Sequence, residues 1–283
     1  MLKRMSVFLV VAVAAAFPFR LHAQCGASPA ANAQTSAASA NTSSKVPDLS
    51  GDWAADPKRG GIGQSWSLSD QAGRKKGNEG DIPYQAWALQ KTMSEISSTG
   101  PGGSYEKTTD PQVKYCDPPG PAKIYMWPAK TYFAQTPKAV YIFYEFGPYW
   151  RPVWLDRKHS EDPDPTWWGE SVGWYENGDT LVVDTIGLNG KIWLDQMGHP
   201  TTDKLHLIER YKRVDKNTLE LDMTIDDPGA YTKPWTGHRN FTLSTSGIYY
   251  PWTCTVEEEK NFFDNLGAPA SSAGSAAAPA GNK

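Results

Sequence analysis

The sequence predicts a mainly β domain: an antiparallel meander that closes into a barrel or strongly curled sheet. One helix and long irregular N-terminal crossings accompany it. Three observations carry this expectation. At least seven β-branched and aromatic runs follow one another with hairpin-length breaks between them. Asn177-Gly178, between two alternating runs, is a two-residue hairpin signal. Aromatic residues make up 12% of the chain, twelve of them Trp. Each large ring buries roughly 150–250 Å², so rings must build the core or line a cavity.

At the N-terminus, residues 1–23 read as an export signal. Lys3 and Arg4 form the positive region, Val7–Phe17 the apolar run, and Ala23 the small residue before cleavage at Gln24. The apolar run is too short to span a bilayer, which takes about 20 residues. A lipid anchor on Cys25 would want a small residue before it, and Gln24 occupies that place. No later segment is continuously apolar for that length, so no membrane span is expected. Residues 24–46 and 267–283 are rich in Ala, Ser, Asn, Pro and Gly and cannot bury enough apolar area to offset the entropy of ordering them. They read as a disordered linker and a disordered tail around a single domain at 47–266.

A net charge of −3 argues against a nucleic-acid partner, which would want a basic face. Cys116 and Cys254 are the two domain cysteines. In an exported chain they are expected to form a disulfide.

Within the domain, Leu49–Trp53 reads as a short first strand and 56–80 as loop. Asp81–Ser98 is the helix candidate, with Asp81 as cap, Pro83 in the first turn and an apolar stripe of Trp87, Leu89, Met93 and Ile96. Residues 99–122, rich in Pro and Gly, read as an irregular crossing. From about 123 strands take over, including Val140–Tyr144 and Tyr149–Leu155, separated by Gly147-Pro148.

The hairpin over 170–186, given a two-residue loop, sets Trp174 opposite Leu181, Val172 opposite Val183 and Asp184 opposite Ser171. The hairpin over 204–226, with a three-residue loop at 215–217 and Asn217 left-handed, pairs Arg210 with Asp222, Lys212 with Glu220 and His206 with Asp226. Leu207, Tyr211, Leu221, Met223 and Ile225 then share the other face. A one-residue slip would set Lys212 against Leu221 and Arg210 against Met223, so the first register is preferred. Glu209 alternates in step with Leu207 and Tyr211 and must point inward, where a carboxylate is tolerated only when paired or used.

Candidate chemistry follows from these placements. Glu209 is the first candidate for acid–base catalysis, with Asp184, His159 and Tyr211 as further candidates. The competing reading of Glu209 is an ion pair to an Arg such as Arg151, which alternates with Val153 and Leu155. Asp184 can equally serve as a cap for the turn that follows it. Trp167, Trp168, Trp174, Arg151 and Tyr144 are candidate ligand-binding residues, and one of the adjacent Trp167 and Trp168 is expected at a pocket rim. No His-x-His or His-x-x-x-His spacing points to a metal, and no cofactor is expected. Gly169-Glu170-Ser171-Val172-Gly173 matches a hydrolase elbow in letters. That elbow needs a strand-turn-helix setting, whereas Ser171 begins a hairpin strand.

Gly51-Asp52-Trp53 is similar to the Gly-x-Trp that opens lipocalin barrels, which implies a lipocalin-like closure. A longer segment, Asp164–Asn189, continues through His206–Arg210 and Thr224–Pro228, with the Asp-Pro…Cys-x-Pro-x-Gly-x-Pro stretch at 110–121. Together these resemble a group of uncharacterised secreted bacterial proteins with a pattern close to P-T-W-x-G-x-S-x-G-x-W-E-G-D-T-L-V-V-D-T. Tyr175 and Asn177 depart from that pattern. The resemblance implies a periplasmic or extracellular setting and brings no reaction with it. Two functions stay open: binding of a small apolar, aromatic or sugar-like ligand in an aromatic-lined interior pocket, or lyase, isomerase or hydrolase chemistry around Glu209.

Overall fold

The computed structural model describes residues 46–55, 82–98, 103–127, 129–147, 149–246, 254, 255 and 257. The chain divides into units 1–43 and 44–283, and every described residue lies in the second. The expected export signal, nearly all of the linker, the 56–80 loop, Asp81 and the tail fall outside the described residues.

Nine strands close into a barrel in sequence order. They are β1 Gly51–Ala55, β2 Lys130–Gln135, β3 Ala139–Tyr144, β4 Trp150–Trp154, β5 Glu170–Glu176, β6 Thr180–Ile186, β7 His206–Arg213, β8 Thr218–Asp226 and β9 Trp235–Leu243. Antiparallel pairing of β1 with β9 completes the circuit. Period-two alternation turns Phe133, Ile142, Arg151, Val183, Glu209, Tyr211, Leu221 and Phe241 inward, and all are buried. Trp53, fully buried, donates its indole N–H to the Leu49 carbonyl at 2.8 Å. The Arg213 guanidinium lies 5.1 Å from the ring centroid of Trp53. Among the described residues no helix is long and apolar enough to cross a membrane.

The meander has one break. β4 and β5 run parallel and meet at a single register pair, Trp154 with Val172. Between them lies the 155–169 connection, after which the chain starts β5 in the same direction as β4 instead of turning back as a hairpin. Gly173 permits the close approach there: a Cβ at that position would sit 2.7 Å from Val153 Cγ1 and 2.8 Å from the Val182 carbonyl oxygen.

The β7–β8 register matches expectation at every pair named above, and Glu209 is inward. Its turn differs in one detail. Asn217 does not adopt a positive φ; the Asp215 carboxylate accepts the Asn217 N–H at 2.7 Å and closes the loop. The β5–β6 register is shifted by one residue from expectation. Trp174 faces Val182, Val172 faces Asp184, and Ser171 faces Thr185. Asn177 and Gly178 do take the positive φ values of the turn, but Glu176 pairs with Thr180 and leaves Asp179 in the loop. There its carboxylate accepts from Thr180 Oγ1 at 2.7 Å and pairs with Lys212 at 2.8 Å.

The helix is shorter than the 81–98 expectation. α1 spans Ala86–Ser94, starts after Gln85, and has Pro83 ahead of its first turn. The crossing expected to be irregular holds two more short helices, α2 Pro111–Tyr115 and α3 Gly120–Lys123, followed by a 3-10 turn over 124–126. Asp110 caps α2, accepting the Gln112 N–H at 3.0 Å, and Pro111 fits its first position. That signature is present in the sequence. Strands therefore begin at Lys130 rather than near 123. A Cys116–Cys254 disulfide, with Cα atoms 5.7 Å apart, ties the end of α2 to the C-terminal segment.

Candidate functional site: a buried polar cluster beside an open seam

Inside the barrel the sequence-predicted acid meets the sequence-predicted arginine. Arg151, 2% exposed, donates from Nη2 to both carboxylate oxygens of Glu209, 0% exposed, at 2.6 Å each. Its Nε donates to Tyr144 Oη at 2.9 Å, and Nη1 points at Ser171 Oγ and Thr185 Oγ1, each at 3.4 Å. Tyr211 donates to Glu209 Oε1 at 2.5 Å. Since that proton is committed, Tyr125 donates to Tyr211 Oη at 2.5 Å, and Tyr144 can donate onward to Tyr125 at 3.2 Å. The phenols thus form one directed chain ending on the carboxylate.

Burial and charge act in opposition here. Burial works against the Arg151 cation, but the Glu209 carboxylate and surrounding phenols more than offset it and hold the guanidinium well above its ordinary value. Burial pushes the Tyr125, Tyr144 and Tyr211 phenols above theirs; Glu209 adds to the effect at all three, and Arg151 opposes it. The whole cluster is buried. Arg151 and Tyr211 occupy the Glu209 carboxylate, and the neighbouring space lined by Trp53, Tyr125, Phe133, Tyr211 and Phe241 holds about 140 Å³ of interstices with no room for a water molecule. At that position the aromatic side chains are packing, not the wall of the expected interior pocket.

The open space lies instead at the β4–β5 seam. With only one register pair the two strands splay, and a cleft of about 400 Å³ opens beside the polar cluster. Trp150, Trp154 and Trp168 supply its aromatic surface, Asp162, Asp164 and Glu170 its carboxylates, and Arg151 and Ser171 its inner end. Trp168 forms the bridge between cleft and core, stacked on Tyr144 with centroids 5.4 Å apart and 19° between planes, and tilted against Tyr149 at 5.4 Å. Its loop is fixed by Thr166, whose Oγ1 accepts from the Gly169 N–H at 2.8 Å and whose N–H donates to the Gly187 carbonyl at 3.0 Å.

Asp184 and His159, expected near Glu209, sit together on the outer face instead. Asp184 alternates with the inward Val183 and so faces outward, whereas the shifted β5–β6 register turns Ser171 inward and Trp174 outward. There His159 Nε2 lies 3.2 Å and His206 Nε2 2.7 Å from Asp184 Oδ1, and His159 Nδ1 lies 3.1 Å from Glu170 Oε1. Burial raises Asp184, but the two imidazoles outweigh it and hold the carboxyl below its ordinary value. His206 is raised, chiefly by its hydrogen bond to Asp184. Its registered partner Asp226 acts only through charge. Glu170 is lowered by hydrogen bonds from Ser160, whose N–H and Oγ donate at 2.7 and 2.6 Å. His159 and Glu170 therefore hold the wall of the cleft to β5 and β6.

The remaining candidates fall as follows. Trp167 and Trp168 are both half-buried against the core, and Trp168 also lines the cleft. Trp174 is exposed on the outer face and does not line the cleft. Ser171 lies within β5, bonded to Thr185 at 2.8 Å, without a sharp turn or an imidazole beside it. His199 pairs with Asp195 at 2.5 Å, both fully buried and separate from His159. Among the described residues no three His, Cys, Asp or Glu side chains converge as a metal site. Tyr125 and His206 join these clusters without having been singled out by sequence. Tyr125 reaches the barrel from a helical turn, and His206 reaches Asp184 across 22 residues. No family model and no curated protein sequence matches the chain.

Proposed function

We propose that this is an exported binding protein that takes a small, sugar-like ligand in the cleft at the β4–β5 seam. The observation that carries the reading is the pairing of three tryptophans with three carboxylates around an open space of about 400 Å³. Flat indoles stack on the apolar C–H face of a pyranose, and carboxylates accept hydrogen bonds from its hydroxyls. A purely apolar ligand would leave Asp162 and Asp164 without a role. The buried Arg151–Glu209 pair supports binding over acid–base turnover, because the Glu209 carboxylate is 0% exposed and a substrate in the cleft does not reach it. The export signal expected from residues 1–23, the Cys116–Cys254 disulfide and the resemblance to secreted bacterial proteins support a periplasmic or extracellular location.

The test is a calorimetric titration of the protein with neutral mono- to tetrasaccharides, alongside a neutral aromatic compound. Saccharide binding is expected, with Trp168→Ala weakening it about two- to tenfold, the range of a stacked aromatic contact. Saccharide affinity unaffected by Trp168→Ala, or binding of the aromatic compound alone, would remove the sugar-like ligand from this site.

A further inference from the structure

A second groove, of about 640 Å³, lies among α1, α2 and the 190–201 segment, and its charge is opposite to that of the seam cleft. Its lining includes Lys91, Lys114 and Lys191 against a single carboxylate, Glu95. Lys91 is paired with Glu95. Lys114 and Lys191 are exposed and have no ion-pair partner among the described residues. Two aromatic side chains of the groove are unusually open, Trp87 at 44% and Tyr115 at 62% exposed. Trp87 is nonetheless held in place, its indole N–H donating to the Gly229 carbonyl at 2.8 Å. The Lys114 ammonium stands 5.4 Å from the Tyr115 ring centroid, so cation and ring present themselves to the same ligand. The third ring, Trp193, is backed by the buried Lys123 ammonium at 5.0 Å, which is itself paired with Asp110.

Open rings beside ammonium groups that lack an ion-pair partner among the described residues select for a ligand that combines a flat apolar face with negative charge. The net charge of −3 on the whole chain disfavours a long polyanion, which would meet repulsion beyond the groove. We propose that this groove is a separate binding site for a short acidic saccharide. Carboxylates on the sugar would meet Lys114 and Lys191, and its rings would pack on Tyr115 and Trp87. This site does not depend on the seam cleft.

The test is isothermal titration of the full-length protein with trigalacturonate at low ionic strength, with its methyl ester and a short polyaspartate as comparison probes. Trigalacturonate is expected to bind and the neutral ester to bind at least about tenfold more weakly, as follows from losing close contacts between opposite charges. Raising ionic strength from about 0.01 to about 0.15 M should weaken the acid but not the ester, since the screening length falls from about 30 to about 8 Å. The double variant Lys114→Glu/Lys191→Glu should lose at least about tenfold in affinity for the acid with an unchanged urea midpoint, because both side chains are exposed. Tyr115→Ala should weaken trigalacturonate and leave polyaspartate unaffected. No trigalacturonate binding, equal binding of acid and ester, equal binding of polyaspartate, or an affinity unmoved by the charge reversal would each overturn the proposal. Neutral-saccharide binding at the seam should survive the charge reversal, so failure here and failure at the seam are separable.

Discussion

Replacing Glu209 by Gln keeps the side-chain shape and removes only the charge that Arg151 needs. Both groups are buried and joined by two 2.6 Å contacts. Breaking such a pair by removing one partner typically costs about 3–5 kcal/mol, because a buried charge is left without compensation. For a domain of this size a urea slope of about 2–3 kcal/mol/M converts that to a midpoint lowered by about 1–2.5 M. The same loss lowers the melting temperature by roughly 6–20 °C, at about 2–4 °C per kcal/mol. Tryptophan fluorescence against urea at neutral pH reads the midpoint directly. The informative comparison is the cycle of Arg151→Met, Glu209→Leu and the double variant. Each single change strands a buried polar partner, whereas the double change strands neither, so the double loss should fall short of the summed single losses by at least about 2 kcal/mol. A Gln variant whose midpoint moves less than about 0.3 M, or single losses that simply add, would show that the two groups do not act as a buried ion pair.

Other outcomes follow from the same structure. Tyr125, Tyr144 and Tyr211 have folded-state values above the ordinary 10.0, so above that pH the folded protein retains protons that the unfolded chain gives up. Stability should be intact below pH 10 and fall as pH rises beyond it, with phenolate absorbance from these three rings appearing only on unfolding. For the outer pair, His206 is raised and Asp184 lowered. The His206 contribution is fully present below about pH 6.5 and lost as pH rises through its raised value; that of Asp184 is present above about 3.8 and lost as pH falls through its lowered value. An imidazole NMR titration should place His206 above the ordinary histidine value in the wild type and return it toward that value in Asp184→Asn. Substituting both Cys116 and Cys254 by Ser releases a cross-link spanning 138 residues, for which chain entropy gives about 5 kcal/mol as an upper estimate, readable as a lowered urea midpoint. Gly169→Ala places a Cβ 2.4 Å from the Ile186 carbonyl oxygen at a φ of +65°. It should cost at least about 1–2 kcal/mol and weaken ligand binding at the seam.

Where a segment is amphipathic and charged on its outer face, its structure was legible in the sequence. The β7–β8 register followed from opposing charges outside and apolar residues inside, and it delivered the inward Glu209; Arg151 was legible only as a competing partner, from its alternation with Val153 and Leu155. The β5–β6 hairpin lacked that second constraint. Asn177-Gly178 identified the turn, but Thr180 and Lys212 draw Asp179 into the loop and slip the register by one residue, which moves Trp174 to the outer face and Ser171 inward. Nothing in the 155–169 connection announces that β5 will run parallel to β4, because strand direction after a long loop is decided by closure of the whole barrel. The seam cleft is a product of that closure and had no local signal. Likewise His159, Asp184 and His206 meet through tertiary placement across 22 to 25 residues. The cap at Asp110-Pro111 was readable, yet the density of Pro and Gly around it obscured a five-residue helix.

The most direct measurement is chemical-shift mapping of the labelled protein during titration with a neutral saccharide. Binding at the seam predicts that the indole N–H signals of Trp150, Trp154 and Trp168 shift together and that the Trp53 indole, beside the filled interior, stays in place. Shifts at Trp53 with unchanged signals from those three tryptophans would put the ligand inside the barrel and contradict a site at the seam.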